Sequence, residues 1–148
     1  MWRPLTEDDI LQSVSAPERD AIQTAAADPD QPLPIGAVIA TAVADARGRL
    51  AAHSGNVLEE GMTLPETLVH HVVSIVRWRL LTRLPIDRLA TDARKLEYQE
   101  ALKALADVAA GRYAIEQPVI ADTEERVTFS PSISARPPKF GRAQQDGI

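Results

Sequence analysis

The chain has 148 residues, 45% hydrophobic and 25% charged, and its 16 basic and 21 acidic side chains leave a formal charge of −5. That length suits one domain, and the apolar content argues against wholesale disorder. Without cysteine there is no disulfide framework, thiolate metal site or cysteine nucleophile. The apolar stretches fall far short of the roughly 20 residues of a membrane span. Met1-Trp2-Arg3-Pro4 followed by acidic residues lacks the basic and apolar halves of a signal peptide. A soluble intracellular protein with no membrane partner is expected. Aromatics make up only 4%, against 11 prolines, and alanine is the commonest residue. Alanine forms helices well but buries little area, which predicts thin helices and a modest core that gains from packing against another molecule.

Thr6-Glu7-Asp8-Asp9 ahead of Ile10-Leu11 reads as a helix start, a Thr cap with carboxylates where the dipole favours them. A second short helix is predicted from Pro17, with Ala16 ahead of it, to Ala27. The prolines of Asp28-Pro29-Asp30-Gln31-Pro32-Leu33-Pro34 then break the chain. Ile35, Val38, Ile39, Ala42, Val43, Ala46 and Leu50 recur at helical spacing, so a helix runs from about 35 to 53 and ends at Ser54-Gly55-Asn56. Pro65 suits the first turn of the next helix, whose stripe (Leu68, Val69, Val72, Val73, Ile75, Val76, Leu80, Leu81) is wide enough for a central element. Leu84-Pro85 stops it. Thr91 or Asp92 caps the last helix, which shows Leu102, Leu105, Val108 and Ala109 with Tyr98 one turn earlier, and Gly111 is its natural C-cap.

Residues 112–148 carry no helical period. Gln117-Pro118-Val119-Ile120 and Arg126-Val127-Thr128-Phe129 read as two short strands around an acidic turn, although a lone hairpin is marginal in water. These 37 residues, fully extended, reach about 120 Å, against a radius of gyration near 13 Å for the preceding bundle. Val119, Ile120, Val127, Phe129, Ile133 and Phe140 make the stretch too apolar for a plain linker. It reads as a segment that orders on something else. The fold class is therefore all-α: a bundle of four to five helices over residues 1–111 and a long extended C-terminal docking arm over 112–148, with room for a short β-hairpin in the arm.

Little of the chain spells chemistry. Glu66 and His70 share a helical face, but His71 points about 100° away, which spoils a two-histidine metal site; surface or subunit-facing histidines are the plainer reading. No phosphate-binding glycine loop and no nucleophile elbow is present. No enzyme activity, cofactor or metal is expected. The densest basic run is Arg77-Trp78-Arg79, Arg83, Arg88, Arg94 and Lys95. It would suit either phosphate contact or a solvated face pairing with Glu97 and Glu100. Arg77, Arg79 and Arg83 are candidate subunit or DNA-channel contacts, and Trp78 is expected in the core or an interface. Arg136-Pro137-Pro138-Lys139 could dock as polyproline, closed by Phe140-Gly141-Arg142. Charge is uneven: residues 1–34 hold two basic and seven acidic side chains, residues 66–112 eight basic and six acidic.

In order and spacing these segments resemble the Mu-like phage head–tail connector (adaptor) family. The matching stretches are Leu5-Thr6-Glu7-Asp8-Asp9-Ile10, the Ala-rich Val43 to Leu50, Leu64-Pro65-Glu66-Thr67-Leu68, and Ile75-Val76-Arg77-Trp78-Arg79-Leu80. Tyr98 to Leu102, Leu105 to Gly111 and the tail from Phe140 to Ile148 complete them. The resemblance covers nearly the whole chain. It departs at Ala51 to Gly55, where the family tends to show a tyrosine-containing turn, and at the longer connection from Val57 to Thr63. It implies a structural virion protein in the neck, held in host cytoplasm before assembly. That protein is a homo-oligomeric ring subunit, a dodecamer, under the portal protein, through which genomic DNA passes unread to other neck or tail-completion proteins. In this reading Val119, Ile120, Val127, Phe129, Ile133, Arg136, Pro137, Pro138, Lys139, Phe140 and Arg142 contact the portal or a neighbouring subunit. The alternative is a DNA-binding or packaging accessory protein using the basic helix face.

Overall fold

A computed structural model describes residues 1–119. Among these residues the elements are strand β1 (Trp2–Pro4), helices α1 (Glu7–Ser13), α2 (Ala16–Ala26) and α3 (Ile35–Ala51), strand β2 (Thr63–Pro65), helix α4 (Glu66–Leu81), a 3-10 turn at Asp87–Leu89, and helix α5 (Asp92–Ala109). The protein is mostly helical, as its apolar periodicity predicts. Helix boundaries fall where the local chemistry puts them. Thr6 caps α1 and shares a reciprocal capping box with Asp9, and Thr91 caps α5 by accepting from the Arg94 N–H at 3.4 Å. Pro65 is the N-cap of α4. Helix α3 closes two residues earlier than its apolar spacing suggests, because the Asn56 side chain donates to the Leu50 carbonyl at 2.9 Å and turns the chain away.

Helix α4 is the centre of the molecule. Leu68, Val69, Val72, Val73, Ile75, Val76, Leu80 and Leu81 are all buried on it, and it packs against α1, α2, α3 and α5. Ala42, Ala46 and Leu50 of α3 and Ala101, Leu105 and Val108 of α5 fill the space around it. The alanines allow close approach of the helix axes, which suits a core built of medium aliphatic side chains.

The one ladder among the described residues joins β1 to β2, antiparallel, with Trp2 opposite Pro65, Arg3 opposite Leu64 and Pro4 opposite Thr63. Its prolines, Pro4 and Pro65, sit at opposite ends, where a missing donor does least harm. Trp2 is buried and Leu64 fully so. Arg47 of α3 fastens this corner: its guanidinium donates to the carbonyls of Thr63 and Glu59, both at 2.7 Å, and lies 6.0 Å from the centre of the Trp2 ring. The hairpin expected over 117–129 lies mostly outside the described residues, and Gln117 to Val119 are in no strand.

Past Gly111 the described chain stays against the bundle. Arg112 and Tyr113 donate backbone N–H groups to the Asp107 carbonyl at 2.8 and 3.2 Å, Ile115 is buried, and Gln117 accepts from the Val57 N–H at 2.9 Å. Gly111 makes that course through a positive φ of 71°, and a Cβ there would stand 2.7 Å from a ring carbon of His53. Gly48, in mid-helix on α3, has open space around its missing Cβ. Gly111→Ala should therefore cost about 1–2 kcal/mol and Gly48→Ala should gain about 0.5–1 kcal/mol. Urea denaturation of the two variants beside the parent checks both signs.

Candidate functional site

The basic run does not form one face. Arg77 is buried, 7% exposed, and lies inside the junction of four helices. It donates to the Ser13 carbonyl at 2.8 Å and pairs with the Glu97 carboxylate. Burial pushes its pKa down, and the neighbouring Arg94 adds to that push, while Glu97 and Glu18 oppose it. Arg79, on α4, turns to Asp45 of α3 and binds it at 2.6 Å. Arg83 is exposed beyond the end of α4. Trp78 is half-buried and stacks on Tyr98, ring centres 5.9 Å apart. Two of the three arginines singled out for subunit or DNA contact thus hold the bundle's own carboxylates.

Around Arg77 the ion pairs form a chain. Glu18, only 4% exposed, is gripped by Arg94 through two hydrogen bonds of 2.8 Å. Arg94 reaches on to Glu97 at 3.2 Å, and Glu97 holds Arg77. The second side of Glu18 accepts from the Ser15 N–H at 2.7 Å and its hydroxyl at 2.9 Å. Burial alone would raise the Glu18 pKa, but Arg94 and Ser15 together outweigh it and hold the carboxyl below the usual range. A carboxylate so placed must stay charged to stay satisfied. Among the described residues no buried side-chain nitrogen or oxygen lacks a hydrogen-bond partner, which suits a cluster that ties helices together.

A second network lies at the start of α1. Arg3 bridges Asp9 at 3.0 Å and Glu66 at 2.8 Å. The Arg3 guanidinium, with the Thr6 N–H and hydroxyl working against burial, holds the Asp9 carboxyl down at about 2. Glu66 is thus engaged by Arg3, while His70 beside it is exposed. His71 is half-buried, and its pKa is lowered by that burial and by His70, whose ring centre is 3.8 Å away. Among the described residues no three His, Asp or Glu side chains converge as a metal site would need, and no helix is long and apolar enough to cross a membrane.

Among the described residues three recesses bear on the site. A polar cleft of about 560 Å³ runs between α1 and α4 over Arg3, Glu66 and His70. A small apolar one, about 290 Å³, lies on α3 beside Met62. The third, about 920 Å³, opens between α2, the proline-broken α2–α3 connection and the α4–α5 connection that holds Arg83. At the other end of α4 the chain passes the β1–β2 corner, where the Trp2 indole donates to the Glu116 carbonyl at 3.0 Å, and reaches Val119 with 97% of that residue exposed. Of the arm residues expected to bind a partner, Val119 alone is described. Ile120, Val127, Phe129, Ile133, Arg136, Pro137, Pro138, Lys139, Phe140 and Arg142 lie outside the described residues. Sequence reasoning passed over Trp2, Glu18 and Ile115; a tryptophan two residues into an aromatic-poor chain was the available signal for the first.

Two outcomes follow from the ion pairs. Glu18→Ala removes the two 2.8 Å bonds on part-buried Arg94 and leaves it Glu97 alone, and a loss of about 2–3 kcal/mol is expected by chemical denaturation. Asp9 and Glu18 both have folded pKa values below their unfolded ones, so their stabilisation is complete above the unfolded carboxylate range and drains as pH falls through the folded values. Thermal melting followed from pH 6 to pH 2 should show a falling Tm, and Asp9→Asn and Glu18→Gln should each flatten that slope.

The family model described as bacteriophage Mu, Gp36 matches residues 5–129 of this chain. No match was found among curated proteins or among solved structures.

Proposed function

The chain belongs to the bacteriophage Mu Gp36 family, and we propose that this phage structural or assembly protein is a head–tail connector subunit. Copies stand side by side in a ring, a dodecamer, beneath the portal protein at the neck of the virion. The ring extends the portal channel and offers a platform to the next neck or tail-completion protein. Genomic DNA passes through the lumen without being read, and the net charge of −5 keeps the wall from gripping phosphates. The role is mechanical, with no catalytic step, cofactor or metal. Before assembly the protein waits in host cytoplasm.

The observation that carries this reading is the exit at Val119. A chain segment anchored by Ile115, Glu116 and Gln117 delivers an apolar side chain, 97% exposed, at the edge of the bundle. Beyond it come 29 residues that hold Ile120, Val127, Phe129, Ile133 and Phe140. Burying side chains of that kind against a partner is favourable by about 1.5–3 kcal/mol each, enough to drive docking. Val119, Ile120, Val127 and Phe129 pair as strands in the assembled state, and Arg136 to Arg142 clamp the portal or a neighbouring subunit.

Duplex binding by a basic helix face is the weaker reading, because Arg77 and Arg79 are held by Glu97 and Asp45. Deleting residues 130–148 tests the connector role. Circular dichroism of the truncated protein should keep the parent's helix signal and melting, while attachment to purified heads is lost. Truncated protein that still joins heads to tails at the parent's level overturns the arm's part in docking.

A further inference from the structure

We propose that the groove between α2 and the α4–α5 connection receives residues 130–142 of a second copy of this chain. The inference rests on the reading that copies assemble side by side, and it names the contact between them. The groove is the largest of the three recesses, about 920 Å³, and Ala21, Ala25, Leu33 and Leu84 give it apolar walls. Pro32, Pro34 and Pro85 bound it on both rims, so its backbone is largely fixed before anything binds.

The acidic α2 side of the groove favours a cationic occupant. Asp20 and Asp28 line the α2 side, and neither carboxylate is in an ion pair among the described residues. Residues 130–142 hold Arg136, Lys139 and Arg142 and no acidic side chain, with Ile133 and Phe140 as apolar anchors. Pro137-Pro138 stiffens the stretch towards polyproline, which lowers the entropy lost on docking. Arg83 and Arg88 line the opposite rim and repel the same cations, which seats the segment against α2.

Geometry points to a neighbour. The described chain exits beside Trp2 and the start of α4, whereas the groove lies past the end of α4, a helix of 16 residues and so about 24 Å long. One subunit thus presents its arm at one end and its groove at the other, the head-to-tail arrangement that closes rings. The stretch from Val119 to Ser130 spans up to about 36 Å, enough to pass beyond its own bundle.

The absence of cysteine permits a clean test in the full-length protein. Thr24→Cys in the groove and Ala135→Cys in the arm are made in separate chains, mixed at high concentration, and treated with a short bismaleimide. A mixed cross-linked dimer is expected, at least about fivefold more abundant than that from a Gln99→Cys and Ala135→Cys mixture, and reduced to the control level by the double charge reversal Asp20→Lys, Asp28→Lys. Arg83→Ala with Arg88→Ala should not reduce it. Equal yields from groove and control positions, or a Thr24→Cys, Ala135→Cys double variant that links only within one chain, overturns the proposal. Head attachment, measured separately on the parent, decides the connector role: heads that bind normally with no groove cross-link sink the groove assignment alone.

Discussion

The buried Glu18 carboxylate is the interaction on which the arrangement of the bundle depends. Helix α2 places only Ile22 fully in the core, because the rest of its inward face is alanine. Such a helix cannot be held by apolar area alone. Glu18 supplies the missing attachment by joining the turn before α2, through Ser15, to Arg94 of α5, and by continuing through Glu97 to Arg77 of α4. Four alternating charges thus join three helices, and each charge would be destabilising if left alone. The same ion chain removes from the surface Arg77, one of the arginines that a reader of the bare sequence would offer to DNA.

Division of labour follows. The α3–α4–α5 core is conventional aliphatic packing, tight because Ala42, Ala46 and Ala101 let helices approach. The α1–α2 layer is held by ions and caps, and is correspondingly sensitive to acid. Between that layer and the α4–α5 connection the packing stays open, leaving the groove. At the opposite end Arg47, Trp2 and the short ladder anchor the chain where it departs. The groove and the point where the described chain departs thus lie at opposite ends of α4.

Much of this was legible in the sequence because helical periodicity is local information. Val38, Ala42, Ala46 and Leu50 repeat on α3, and Leu68, Val72, Val76 and Leu80 on α4, so both helices and their inward faces could be read directly. Thr6, Pro65, Thr91 and Gly111 marked helix ends for equally local reasons. What could not be read depends on residues far apart in the chain. The partner of β1 is 61 positions away for Arg3 and Leu64, and three residues ending in proline give no strand signal of their own. Arg77 reads as one more cation on an exposed face until Ser13 and Glu97 are brought to it by separate helices. Residues 112–117 read as the beginning of an arm because nothing in Arg112 to Gln117 announces that Ile115 and Trp2 meet the same corner. The candidate docking residues other than Val119 rest on apolarity and charge in a stretch outside the described residues.

The hydrogen bond from Trp2 to Glu116 joins positions 114 apart, nearly the full span of the folded unit. Closing so long a loop is slow compared with forming the helical pairs inside it, so the root of the arm is set only after the interior has formed. On the ribosome the first strand can pair once Thr63–Pro65 has emerged, but its bond to Glu116 must wait for almost the whole bundle. A half-made chain therefore lacks the contact that fixes the course of residues 115–117, and only the finished bundle sets the direction in which the polypeptide continues.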